Sequence, residues 1–356
     1  MNLLAGGNEK STVIKRFNKA QKDYFKMLLK KALRSSVASF SAALAATVLA
    51  LGAGTGVAQE GRLNLREWQL QTSLKVEAKG EAISTANYAT AKTWYAVQVP
   101  TTVTAALVKH KVYPDPNFGM NLRSFPGVSY PPGFNFSNME MEPDSPFAVS
   151  WWYRTEFTLP ATDSGKTIWL NFGGLNYRAN IWMNGKQIAN SDNVAGAWRT
   201  WEFDVTATAK AGAVNTLAVQ VWAPKRDDLA ITFVDWNPNP PDKNMGLWRS
   251  VYVTTSGPVA LRYPAVMSEV NSRTNDLASL TATALLKNSA NHPVQGKLRG
   301  KIENISFEQD VDLAAGESKD VTFEPDQFPQ LKISNPKLWW PAQMGAQNFY
   351  PLELEF

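Results

Sequence analysis

Beyond residue 60 the chain is a succession of short runs rich in Trp, Tyr, Val, Ile, Thr and Phe, each soon cut off by Gly, Pro, Asn or Asp. Such spacing leaves room for strands and almost none for helices, so it predicts an all-β protein, a sandwich or a barrel. Expected strands are Trp94–Val99, Ser150–Leu159, Thr167–Phe172, Ala179–Met183, Trp201–Val205, Thr216–Trp222 and Leu247–Thr254. Asn184-Gly185 sits between two apolar segments. Both residues tolerate positive φ, which predicts a two-residue hairpin. One short helix is expected at Val103–Lys109, after the break at Pro100. The Pro-rich, aromatic stretch Val112–Pro146 reads as a long loop, and a loop of that length inside a domain is more often functional than not.

Ser256-Gly257-Pro258 closes the first block. The next hundred or so residues are less aromatic and have the size of an immunoglobulin-like sandwich. Its expected strands are Leu277–Lys287, Val294–Asn304, Phe307–Leu313 and Lys319–Phe323. The sequence stops at LELEF, inside an alternating pattern, which reads as a truncation, with a genuine terminal strand as the alternative. The predicted organisation is residues 1–58 as an extension and signal peptide, 59–256 as one β-domain and 257–356 as the second.

The first 35 residues hold nine Lys/Arg against Glu9 and Asp23, while the remainder holds 27 basic and 29 acidic residues. The net charge of +5 therefore belongs to the leader, and no basic patch supports nucleic-acid binding. Ser35–Gln59 is uncharged, rich in Ala, Leu and Val, and ends in small residues. Together with the basic start it forms an export signal, with cleavage expected after Ala58. Met27 is an alternative start that gives a signal of ordinary length. A retained membrane anchor competes with this reading, but the run is weakly apolar and no basic stop-transfer cluster follows it. The expected product is exported, periplasmic or extracellular, with no membrane attachment after cleavage.

Chemistry is sparse. The sequence has no Cys and two His, His110 and His292, so neither a metal centre nor another cofactor is expected. There is no nucleophile-elbow or phosphate-loop motif. Glu140, Glu142 and Asp144 read as a solvated loop face, and Asp227-Asp228 as a surface turn. Phe233–Arg249 (FVDWNPNPPDKNMGLWR) differs from these, because prolines stiffen a loop carrying two Trp and two acids, Asp235 and Asp242. A Trp face, an acid and an amide together suit a sugar ring and its hydroxyls. Trp248, at a strand start, reads as core filling; for Asp235 and Trp236 function is weighed above structure.

GGLNYRANIWMNGKQIAN, WEFDVTATAKAGAVNTLAVQVWAP and VDWNPNPPDKNMGLWRSVYV, in that order, resemble the sugar-binding domain of family 2 glycoside hydrolases. The third run is close to their exo-β-D-glucosaminidase branch, and NPKLWWPAQMGAQNFYPLEL resembles the end of the family's immunoglobulin-like domain. The resemblance implies a jelly roll, then an immunoglobulin-like sandwich, then a catalytic (β/α)8 barrel that this sequence does not contain. It supplies no catalytic residue, because the only Asn-Glu pair is Asn8-Glu9 in the leader. It implies a terminal-sugar subsite at Asp235 and Trp236, with Asn237 and Asn244 as weaker members. The implied partner is a β-linked oligosaccharide. The function expected is the non-catalytic part of an exo-β-D-glucosaminidase. A β-mannosidase or endo-β-mannosidase of the same family and a free-standing carbohydrate-binding protein are the alternatives.

Overall fold

The fold is organised around a strand whose first five residues are buried on both faces. This is WWYRTEFT (β5, Trp151–Thr158), and both sides of its sheet are covered. The computed structural model describes residues 61–90, 92–128, 130, 140–231 and 238–356. β5 lies within a six-stranded antiparallel sheet. Its order is β3 (Tyr95–Gln98), β2 (Glu67–Thr72), β5, β10 (Val214–Trp222), β7 (Arg178–Met183) and β8 (Lys186–Ala189). A four-stranded sheet faces it, with order β1 (Arg62–Leu65), β12 (Val251–Ser256), β6 (Thr167–Phe172) and β9 (Trp201–Asp204). Strand alternation sends Trp151, Tyr153 and Phe157 into the core between the sheets, against Leu170, Phe172, Val219 and Leu247. The intervening Trp152 packs on the outer face with Trp182 and Ala218, beneath Ile83 of the short helix α1 (Gly80–Ile83). Gly80 is required there, since a Cβ would lie 2.2 Å from the Trp182 indole.

A two-strand pair, β4 (Thr101–Thr102) with β11 (Gly246–Leu247), closes one end of this jelly roll and leads into helix α2 (Val103–Lys109). The helix falls where its sequence pattern places it. Thr102 caps it by accepting from Ala105 N at 3.2 Å. The expected strand Leu247–Thr254 is instead broken. The chain leaves β11 at Trp248 and joins the four-stranded sheet only at Val251, because it passes from one sheet to the other. The Asn184-Gly185 turn has φ values of 50° and 84°, as a two-residue hairpin between right-twisted strands demands.

The second sandwich is immunoglobulin-like. β13 (Val259–Val270), β14 (Leu277–Asn288) and β17 (Ser318–Phe323) form one sheet, and β18 (Lys332–Ser334) also pairs with β14. The facing sheet is β16 (Ile305–Leu313), β15 (Val294–Ile302) and β19 (Leu352–Glu355). β14 alternates buried and part-exposed residues along its length, and Phe307 meets Phe323 edge-on at 4.6 Å between the sheets. β19, the LELE of the alternating end, is a paired strand alongside β15. Across the junction, Arg262 Nε reaches Glu202 at 2.5 Å, and Lys287 Nζ lies 4.4 Å from the Trp169 ring centroid. Among the described residues no helix is long and apolar enough to cross a membrane, and no group of His, Cys, Asp or Glu could hold a metal ion. The expected signal peptide, residues 1–58, lies outside the described residues.

Candidate functional site

The loop singled out in the sequence leaves β10 at Trp222 and returns at β11, at the end of the jelly roll where α2 begins. Asp235, Trp236 and Asn237 lie outside the described residues; both shoulders of their segment are described. The downstream shoulder is a tight turn. Pro240 O accepts from Lys243 N at 2.9 Å, Asp242 O accepts from Met245 N at 2.9 Å, and Lys243 and Asn244 both have positive φ.

Asp242, one of the two acids that drew attention to the loop, faces inward. It is fully buried, and its Oδ2 accepts from Thr104 N at 2.7 Å, satisfying a free N–H in the first turn of α2. Its Oδ1 accepts from Asn244 N at 2.9 Å. Burial raises this carboxyl to about 6, against the opposing pull of the Thr104 N–H. The N-terminus of α2 is thereby completed from across the fold, with Val103 N donating to Met245 O at 2.8 Å. Asn244 is half-buried, and its Nδ2 donates to Ile231 O at 3.3 Å, which spends part of its amide on closing the loop.

The upstream shoulder is tied to the entry of β7. Asp228 accepts both guanidinium nitrogens of Arg178, at 2.5 and 2.7 Å, and also Lys225 N at 2.7 Å. Arg178 holds the Asp228 carboxyl below its usual range. The surface turn expected at Asp227-Asp228 is therefore an anchored one. Glu140, Glu142 and Asp144 are exposed, as a solvated face should be.

Where the Pro-rich stretch meets the loop, Tyr130 Oη donates to Asn239 O at 2.6 Å. A small pocket there is lined by Tyr130, Glu140, Met141, Asn239, Pro241 and Lys243. Desolvation lowers the Lys243 ammonium below its usual range. An acid, an ammonium and a carboxamide around an apolar floor can hydrogen-bond hydroxyls while a ring rests on carbon. The sequence reading missed Tyr130 and Lys243, because their meeting depends on two segments more than a hundred residues apart. Trp248 is half-buried at the rim and not in the inner core. Its Nε1 donates to Ala197 O at 3.0 Å, and its ring stands edge-on to Trp198 at 5.3 Å.

A jelly roll with a loop anchored at both shoulders, followed by an immunoglobulin-like sandwich, defines a two-domain all-β module. The chain belongs to glycoside hydrolase family 2. Residues 135–232 match the family described as glycosyl hydrolase 2 galactose-binding domain-like, and residues 259–356 match glycosyl hydrolases family 2. The exo-β-D-glucosaminidase of Streptomyces avermitilis is 35% identical over 291 residues, covering 82% of this chain and 30% of that protein. The solved structure of the Amycolatopsis orientalis exo-chitosanase CsxA is 30% identical, with a TM-score of 0.68 over 83% of this chain and 33% of that one. The mannosylglycoprotein endo-β-mannosidase of Lilium longiflorum is 26% identical over 318 residues, covering 81% of this chain and 31% of that protein. The chain thus spans about a third of the length of these relatives.

Proposed function

We propose that this chain is the N-terminal, non-catalytic part of an exported exo-β-D-glucosaminidase acting on chitosan-type oligosaccharides. The observation that carries the reading is the likeness to the Streptomyces exo-β-D-glucosaminidase across 82% of this chain, loop shoulders included. The residues support a contributing role. Asp235 and Trp236 would supply a hydrogen-bonding carboxylate and a stacking face to the terminal sugar, with Asn237 and Asn244 beside them. The pocket at Tyr130 and Lys243 adds polar groups at the same end. Hydrolysis itself would be retaining, with two carboxylates about 5 Å apart in a barrel beyond this sequence. Export is the reading that the basic start and uncharged run support.

The test compares the complete encoded polypeptide with residues 59–356 alone, on aryl β-glucosaminide and aryl β-mannoside. The reading expects the complete protein to turn over the glucosaminide and the 298-residue piece to turn over neither. Preferential turnover of the mannoside would favour the β-mannosidase alternative, for which the lily likeness is the supporting observation. A reading frame that ends at codon 356, with retained sugar binding, would favour a free-standing carbohydrate-binding protein.

A further inference from the structure

GGLNYRANIWMNG contains two residues that the sequence reading used only as signature: Asn176, and Arg178, which anchors Asp228. They sit at the entry to β7, two positions apart, and between them they grip both shoulders of segment 232–237. Asn176 is fully buried. Its Nδ2 donates toward Lys243 O at 2.8 Å, Asn244 O at 2.9 Å and Ile231 O at 3.2 Å. One amide nitrogen thus bridges the residue that precedes the segment and two residues that follow it. The amide can be oriented in one way only, since turning it over would set Oδ1 against three carbonyl oxygens. The Asn176 backbone joins in. Its N donates to Gly246 O at 2.9 Å, and its O accepts from Gly246 N at 2.8 Å. Gly246 has φ of 146° and no room for a Cβ, which would lie 2.6 Å from the Tyr153 hydroxyl and 2.7 Å from Thr101 O. Arg178 supplies the second tie, its bidentate grip on Asp228 holding the chain three residues before Ile231.

We propose that Asn176 and Arg178 form a clamp that positions the segment carrying Asp235 and Trp236 for sugar binding. Both are positioning residues, which act on a saccharide through the loop. The clamp draws the ends of a thirteen-residue excursion, Ile231 to Lys243, onto a single amide nitrogen. Both shoulders of the loop are thereby fixed to the sheet at the entry of β7. The inference rests on the subsite reading for Asp235 and Trp236, and the experiment keeps the two apart.

Hydrogen exchange by mass spectrometry on the complete polypeptide compares wild type with Asn176→Ala, Asp228→Asn and Asn215→Ala. Asn215 is the control. It is equally buried and bridges Lys210 O and Ala213 O, away from the loop. Asn176→Ala should raise exchange in peptides covering 231–244 by about tenfold or more, and Asp228→Asn by less, with Asn215→Ala leaving those peptides at wild-type rates. In the complete enzyme, Asn176→Ala should raise KM about tenfold with a smaller change in kcat, and its effect should shrink below about twofold in an Asp235→Ala background. Should Asn176→Ala fail to fold, Asp228→Asn carries the same comparison. Exchange in 231–244 that matches the Asn215→Ala pattern in both clamp variants would overturn the clamp. An Asp235→Ala enzyme with wild-type kinetics would instead end the subsite reading, with the exchange result still deciding the clamp.

Discussion

Replacing Asp242 by Asn should cost more stability in acid than at neutral pH, the reverse of what an ordinary paired carboxylate gives. The folded carboxyl binds its proton more tightly than the unfolded one, with its value raised from 3.8 to about 6 by burial. Its contribution is therefore fully present below pH 3.8 and is lost as the pH rises through 6. At about 1.36 kcal/mol per pH unit, that loss amounts to about 2 kcal/mol between pH 4.5 and 7.5. Asn removes this titration and adds a fixed penalty. Asp242 accepts from Thr104 N on one oxygen and from Asn244 N on the other, so an amide must turn a donor toward one of them. Leaving that N–H unmet costs about 1–3 kcal/mol at every pH. The cost of Asp242→Asn should accordingly be about 2 kcal/mol larger at pH 4.5 than at pH 7.5. Urea unfolding followed by Trp fluorescence at the two values measures it. A cost independent of pH, or larger at pH 7.5, would refute the claim that desolvation outweighs the two N–H donors.

Three further outcomes are expected. In the complete enzyme, Asp235→Ala should lower kcat/KM by the worth of a charge-assisted hydrogen bond, about 1.5–3 kcal/mol, with an unchanged Tm; steady-state kinetics beside calorimetry tests both halves. Gly300→Ala places a Cβ 2.0 Å from the Phe307 ring, so it should destabilise the second sandwich by about 1–3 kcal/mol in denaturant titration. Mass spectrometry of the exported protein should find an N-terminus near Gln59, and an intact leader in washed membranes would contradict cleavage.

How much of this was legible in the sequence depended on how local the signal was. β14, β15 and β16 alternate along their length and declare themselves, as does the helix after Pro100. β13 does not, because Pro264 sits where the register slips between Arg262 and Ala265, and the bulge breaks the period of two. β1 and β2 were also passed over, although Leu63, Leu65, Trp68 and Leu70 carry the apolar positions of LNLREWQLQ. Asp242 was legible as an acid in a stiff loop but not as a cap. Its partner, Thr104, lies 138 residues away, and only the closed fold brings them together. The pairing of Tyr130 with Asn239 spans 109 residues and was invisible for the same reason.

Three carboxamides in the motifs that resemble the family, Asn176, Asn184 and Asn215, hold the scaffold together. Asn184 takes positive φ in the hairpin, donates to Thr208 O and accepts from Thr216 N. Asn215 folds the preceding turn onto itself and accepts from Asn184 Nδ2 at 2.8 Å. Asn176 ties the loop shoulders. Each is a carboxamide spent on backbone groups that would otherwise lack partners, a requirement of the jelly roll whatever sugar it meets. Relatives named for glucosamine and for mannose match over similar shares of this chain, 82% and 81%. On the subsite reading proposed above, discrimination between sugars would fall to the segment carrying Asp235 to Asn237 and to the Pro-rich stretch beside Asn239, where Tyr130 Oη donates to Asn239 O. Exchanging residues 232–237 for the corresponding loop of the lily enzyme should therefore shift the ratio of glucosaminide to mannoside turnover while leaving Tm in place. An unchanged ratio would assign sugar choice to residues beyond this chain.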